Sequence, residues 1–189
     1  MNNALGYDID TVLAEGERNK VLSALVTAIE CRASKRLVGR EIDIYWPYRV
    51  HTSILWDGIN GTLFNYGLIL LVRAVGGMER IGAVRRAGLL KQAIESFGDP
   101  DRVSQLVKRF PVNVITSEQE KLFKELDSIW YELVEIPENL MVAYLRQHIV
   151  EFRSYNTEQL PAQPCAPPNG GPTEPSADSS AAGGPPPVS

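Results

Sequence analysis

The stretch HTSILWDGINGTLFNYGLILLVRAVGG, residues 51–77, decides the fold because it contains the most apolar run of the 189-residue chain. From Thr62 to Val75 apolar residues cover nearly every face of a helix, and Gly76-Gly77 is a typical helix stop. A helix that is apolar all round lies at the centre of its domain or under a partner. We therefore expect a central buried helix, with the rings of Trp56 and Tyr66 packed against neighbouring helices.

Apolar residues recur at helical spacing on both sides of this stretch. A stripe from Val21 to Ile29 predicts one helix, and a stripe from Met78 to Phe97 predicts another. Asp99-Pro100 combines a capping residue with a proline at the first helical position, so a short helix to Phe110 follows.

The last two helices have the strongest sequence signals. Residues 117–120 read SEQE, a capping-box sequence, and apolar residues line one face from Leu122 to Leu133. Pro137 opens the final helix, whose apolar stripe continues to Phe152.

One segment departs from the helical period. Between residues 42 and 46, isoleucine and tryptophan alternate with aspartate and tyrosine, which is a strand pattern, and Pro47 limits the strand to a sheet edge or a bend. Such a strand must pair with residues 50–55, with residues 112–115 or with another copy of the chain. The predicted fold is therefore mainly α, a bundle of five or six helices with one short extended element.

The composition changes sharply after residue 155. Nine of the thirteen prolines follow it, together with many glycines and serines and few apolar residues. Such a segment buries too little apolar surface to offset the conformational entropy lost on folding. We predict a helical domain over residues 1–155 and a disordered Pro/Gly/Ser-rich tail over residues 156–189.

The sequence also bears on the compartment. Residues 1–10 lack the basic and apolar regions of a signal peptide, and the most apolar window, residues 63–78, is short of the roughly 20 residues that a membrane span needs. Cys31 and Cys165 fall in a helix and in the tail, so we expect no framework disulfide. We expect a protein of the cytoplasm or of a virion, not secreted by a signal peptide and not inserted in a membrane.

Charges are segregated along the chain although the net charge is only −4. Residues 73–109 carry eight bases against four acids, whereas residues 117–154 carry eight acids against four bases. Such blocks can neutralise one another within one domain, join neighbouring copies or meet nucleic acid. A homo-oligomer or another protein partner is therefore expected, and nucleic acid is a second candidate partner.

The basic residues of two consecutive helices are the candidate nucleic-acid site. Their density suits contacts with phosphates, while the scarcity of aromatic residues there disfavours base stacking. The candidate nucleic-acid-binding residues are Arg80, Arg85, Arg86, Lys91, Arg102, Lys108 and Arg109.

The sequence predicts no catalytic, cofactor-binding or metal site. His51 has Ser53 and Asp57 nearby, but Ser-x-His is not a recognised nucleophile arrangement. The two cysteines and two histidines are too scattered for structural zinc, and no phosphate-binding loop follows a predicted strand.

Two resemblances accompany these patterns. Lys35-Arg36-Leu37, His51, Trp56-x-Gly58 and Leu63-x-x-Tyr66-Gly67 resemble small helical proteins grouped with pyrimidine-dimer DNA glycosylases, which implies catalysis on DNA. The plan of a helical core, basic mid-chain helices and a polar tail is similar to coat proteins of rod-shaped plant viruses, which implies self-assembly.

The leading functional hypothesis is a non-enzymatic helical assembly or interaction protein, in one form a self-associating subunit of a viral or phage particle. It rests on the all-apolar helix, the unpaired strand and the separated charges. The alternatives are phosphate contact through the Arg80–Arg109 block and a small glycosylase-like enzyme that uses His51.

Overall fold

The computed structural model describes residues 8–31, 37–107 and 115–154, and the chain is mainly helical within them. The prediction of a mainly α fold is confirmed, and no strand occurs in these three ranges. The described helices are α1 Ile9–Ala14, α2 Arg18–Cys31, α3 Ile42–Tyr66, α4 Leu68–Arg80, α5 Val84–Glu95, α6 Pro100–Val107, α7 Ser117–Glu132, α8 Pro137–Gln147 and α9 Ile149–Ser154, with a 3-10 turn at Gly39–Glu41 before α3.

The strand predicted for residues 42–46 is wrong, because these residues form the first turns of α3. The alternation implied that Asp43 faces solvent, yet this side chain is 6% exposed. Its two carboxylate oxygens accept hydrogen bonds from Arg80 Nε and from the Tyr144 hydroxyl, each at 2.6 Å. Since these partners satisfy the buried carboxylate, its polarity was no guide to the face it occupies.

The hydrogen bonds around this aspartate join α3 to the last two helices. Arg40 donates to the Tyr144 hydroxyl at 2.7 Å and to Glu151 at 2.5 Å. Burial is the main reason that the pKa of Tyr144 is raised. Arg153 of α9 in turn donates to Asp10 of α1, at 3.0 Å from Nε. Polar contacts therefore join the segment before α3 to α8 and α9, and α9 to α1.

Helix α3 lies at the centre and packs against α4, α7 and α8. The chain turns at Gly67, and α4 runs back along α3 until Gly77 lies against Pro47, where an added Cβ would come within 2.6 Å of Pro47 Cγ. The helix stop predicted at Gly76-Gly77 is wrong, since α4 continues to Arg80. Glycine serves here to let two helices approach closely.

The described ranges contain more helices than the five or six predicted, because two predicted helices are interrupted and α1 was not predicted. The central one is divided at Gly67, where φ is 70°, and the last one at His148, where φ is −107° and ψ is 20°. No helix of the described ranges is long and apolar enough to cross a membrane.

Some predictions fall outside the described residues, namely the tail over residues 156–189 and the end of the short helix near Phe110. Cys31 is disulfide-bonded, so the expectation of no disulfide is wrong. Cys165, the other cysteine, lies outside the described ranges.

Helix α3 is broken at Gly58, where φ is 66° and ψ is −179°. Almost no residue except glycine adopts this conformation. A Cβ at this position would also lie 2.6 Å from Oδ2 of Asp127 on α7. Backbone conformation and close packing therefore both require glycine here.

We expect Gly58→Ala to destabilise the fold more than Gly82→Ala. Both glycines have positive φ, 66° and 89°, so alanine is strained at either site, and at Gly58 the ψ of −179° adds to this because essentially only glycine adopts that combination, at a cost of about 1–3 kcal/mol. Only the alanine at 58 also collides with Asp127, because nothing lies within 4 Å of a Cβ at Gly82. Urea unfolding measures the two losses, and equal losses would contradict the proposed contact.

Candidate functional site

Two side chains of α7 hold the broken helix in place. The N–H of Ile59, the first residue after the break, donates to Asp127 Oδ1 at 2.9 Å, as at a capped helix start. One turn along α7, the Tyr131 hydroxyl donates to the Ile54 carbonyl at 2.9 Å. Residues four apart share one face of a helix, so Asp127 and Tyr131 act on the break together. We call these two residues the clamp.

The electrostatics of the clamp follow from its burial. Removal from water raises the pKa of Asp127, and the hydrogen bond from the Ile59 N–H lowers it part of the way. Burial is also the main reason that the pKa of Tyr131 is raised. A buried bond of 2.8 Å between Ser53 Oγ and Thr62 Oγ1 spans the break on the core side.

Four large apolar side chains remain exposed around the break, and we call them the aromatic surface. Asn65 Nδ2 donates to Asp57 Oδ2 at 3.0 Å, a contact that joins the two halves of α3 across the break. The Tyr131 hydroxyl also reaches the carbonyl of the residue before that tryptophan, at 3.3 Å. The exposed fractions are 87% for Trp56, 62% for Phe64, 55% for Tyr131 and 44% for Leu55.

The expectation that Trp56 packs against a neighbouring helix is therefore wrong. Tyr66 is 39% exposed, and the Arg49 guanidinium lies 5.3 Å from the centre of its ring. Trp56, two residues before the break, is the most exposed aromatic residue in the described ranges.

His51 lies in the core, with 3% of its surface exposed. Its Nε2 is 3.0 Å from Oε1 of Glu138, and its ring centroid is 5.9 Å from that of Trp130. The hydrogen bond from His51 is the main cause of the lowered pKa of Glu138. The hydroxyl of Ser53, the nearest nucleophile in sequence, is bonded to Thr62 and not to His51.

Arg86, a candidate phosphate-binding residue, is 5% exposed and faces the core. Its guanidinium lies 4.6 Å from the centre of the Trp130 ring. Its Nη2 donates to the carbonyls of Glu135 at 3.0 Å and Leu133 at 3.4 Å. Burial lowers the pKa of Arg86, but an arginine in a protein remains charged. This side chain holds the α7–α8 connection against Trp130.

Two other members of the Arg80–Arg109 block form ion pairs with carboxylates. Arg80 Nη2 lies 2.5 Å from Asp43 Oδ1, and Lys91 Nζ lies 2.6 Å from Glu79 Oε1. Each of these cations already has a carboxylate beside it, so its positive charge is partly neutralised before any phosphate approaches.

Of the remaining residues of the Arg80–Arg109 block, two lie at the surface and two lie outside the described ranges. Arg85 and Arg102 are exposed, with no carboxylate partner in the described ranges. Lys108 and Arg109 lie outside those ranges. No group of three or more His, Cys, Asp or Glu side chains that could hold a metal ion occurs among the residues described.

Sequence reasoning missed the residues that organise this region. Gly58 stood in a quoted motif, but nothing in the sequence marked it as a helix break. Asp127 and Tyr131 read as polar positions of an amphipathic helix. A glycine between two apolar helical stretches, with an aspartate and a tyrosine four apart elsewhere, is too common a pattern to predict the clamp.

We expect part of the acid sensitivity of this fold to come from Glu138. Because its pKa is lowered in the folded state, its contribution to stability is complete above the usual value of 4.5 and is lost as the pH falls through the folded value. Glu138→Gln should therefore lose less stability than the wild type over this window. Urea unfolding at a series of pH values measures the slopes. Glu132→Gln, which removes an exposed carboxylate from α7, should keep the wild-type slope.

We expect the neighbouring arginines Arg85 and Arg86 to differ sharply. Arg86→Ala should cost about 3 kcal/mol or more, because Glu135 and the α7–α8 carbonyls lose their buried cation. Arg85→Ala should stay within about 0.5 kcal/mol, as for other exposed positions. Denaturant midpoints measure both, and a small effect of Arg86→Ala would mean that the guanidinium is dispensable to the core.

Comparison with known proteins supplies a family. A family model described as DMP19-like protein matches residues 35–148, more than half of the chain. No curated protein and no solved structure matches. The matched range includes α3, the clamp, His51 and Arg86, and the family is neither of the two that the sequence resembles. The chain belongs to the DMP19-like protein family.

Proposed function

We propose that this chain is a non-enzymatic protein that self-associates, with the aromatic surface as the contact between copies. The observation that carries the proposal is the exposure of three aromatic side chains on the residues around the break, 87% for Trp56, 62% for Phe64 and 55% for Tyr131. Burial of one large apolar side chain contributes about 1.5–3 kcal/mol, so covering this group is a strong driving force for association.

The residue types and their rigidity support an interface. Tryptophan and tyrosine are enriched among the residues that dominate binding energy. The hydroxyl of Tyr131 is bonded to the α3 backbone, and Trp56 sits on a helix end that the clamp positions. Less conformational entropy is lost on binding when the contact residues are held in place beforehand.

The charges along α7 are compatible with a second copy as partner. Lys124 pairs with Glu120 at 2.9 Å, and Lys121 lies 4.0 Å from Glu125. This mixture of signs lets two identical surfaces meet about a twofold axis without large like-charge repulsion. The particle-subunit form of the hypothesis stays a prediction.

The positions of the residues involved support the two alternative functions less well than they support self-association. Catalysis by His51 requires substrate access to a histidine that is 3% exposed. Phosphate binding by the Arg80–Arg109 block would have to proceed without Arg86, which is buried in the core. Arg80 and Lys91 of that block already pair with carboxylates. Both remain alternatives to self-association.

We expect sedimentation velocity over rising protein concentration to show a concentration-dependent oligomer. Trp56→Ala should raise the dissociation constant by about 30-fold or more, the effect of losing a residue that dominates an interface. The low-concentration limit should be a folded monomer. A monomer at every concentration and salt would overturn the proposal.

The matched control is Val84→Ala, which truncates an apolar side chain that is 62% exposed at the start of α5. Its oligomer should be as stable as the wild type. Equal weakening by both substitutions would mean that association is a general response to lost surface hydrophobicity and not a property of the aromatic surface. Circular dichroism of each variant establishes that the fold is retained.

A further inference from the structure

Four buried polar atoms without a hydrogen-bond partner in the described ranges belong to Trp130, to two residues beside its ring and to Glu135, which lies near one of those two. They are His51 Nδ1, Arg86 Nη1, Trp130 Nε1 and Glu135 Oε2. Trp130 is fully buried, and we call this group the Trp130 cluster. Buried polar atoms in folded proteins almost always have a partner, either a protein group or an ordered water.

The members of the cluster are close to one another. The Arg86 guanidinium is 4.6 Å from the Trp130 ring centre, and the His51 ring centroid is 5.9 Å from it. Arg86 Nε is 4.0 Å from Glu135 Oε2, beyond the length of a direct hydrogen bond. The side chains of Arg86 and Glu135 are therefore near each other but are not joined by a direct hydrogen bond.

Hydrogen-bonding roles in the cluster are balanced. Trp130 Nε1 and Arg86 Nη1 can only donate, and an ionised Glu135 can only accept. The Nε2 of His51 faces the Glu138 carboxylate at 3.0 Å, so in the neutral ring Nε2 carries the proton and Nδ1 is left as an acceptor. With His51 neutral, the set therefore contains two donors and two acceptors.

We propose that the Trp130 cluster is a binding site for ordered internal water, one or two molecules held between α3, α5, α7 and the α7–α8 connection. Water is the ligand that fits because it accepts two hydrogen bonds and donates two, matching the two donors and two acceptors. Sites of this kind typically provide two to four polar partners. A simple anion would leave His51 and Glu135 unsatisfied, and a cation would leave Arg86 and Trp130 unsatisfied.

This water links the core to an exposed part of the chain. Arg86 holds the carbonyls of Leu133 and Glu135, and the side chain of Val134 between them is 90% exposed. The Arg86 guanidinium and the Glu135 carboxylate are too far apart for a direct hydrogen bond, and a water bonded to both would connect them. The α7–α8 connection is then fastened through the site as well as by the guanidinium itself.

The three tryptophans of the chain provide the test and its internal controls. In the folded, 15N-labelled full-length protein, each indole N–H gives its own resonance, assigned by Trp46→Phe and Trp56→Phe at sites outside the cluster. We expect the Trp130 indole proton to show cross peaks to water of opposite sign in NOE and ROE spectra, which mark a water that stays bound longer than the protein tumbles. Trp56, 87% exposed, should show no such pair of peaks.

Other outcomes are equally decisive. Absence of water cross peaks at a Trp130 indole proton that is protected from exchange would overturn the proposal. Peaks of the same sign in both spectra report proton exchange with solvent, and these would also overturn it because the site would then be open to bulk water. The measurement uses the folded wild-type core, so it does not depend on a variant that fails to fold.

Discussion

The hydrogen bond between the Ile59 N–H and the Asp127 carboxylate is the contact on which the arrangement of this domain depends. It caps the second half of a central helix that is interrupted at Gly58. The same aspartate leaves no room for a Cβ at that glycine, so the capping contact and the glycine require one another. With Tyr131 bonded to the last carbonyls before the break, α7 sets the angle at which α3 changes direction.

Helix α7 serves two purposes. Asp127 and Tyr131 bond the backbone of α3, and Trp130 between them enters the core beside His51 and Arg86. Trp130 is fully buried whereas Tyr131, the next residue, is 55% exposed. The exposed aromatic surface and the buried polar cluster therefore share a single helix.

Polar groups inside this domain act mainly as fasteners. Asp43 joins Arg80 and Tyr144 at one end of α3, while Arg86 joins the α7–α8 connection to α5 near the other. Such groups are costly to bury unless they are paired, and once paired they specify one arrangement of neighbouring helices. This accounts for two basic residues of the Arg80–Arg109 block, whose partners in the fold are carboxylates and carbonyls.

The sequence by itself determined the helical class, the amphipathic helices α5 and α7 and the proline that begins α8, because periodicity and capping chemistry are local. Local pattern led to three wrong predictions: a strand at residues 42–46, a helix stop at Gly76-Gly77 and a packed Trp56 ring. Each of these depends on a partner distant in sequence: Tyr144 for Asp43, Pro47 for Gly77, and Asp127 for the break beside Trp56. Only the tertiary structure decided whether a polar residue is buried or an aromatic one exposed, because hydrogen bonds and close packing between distant residues override local pattern.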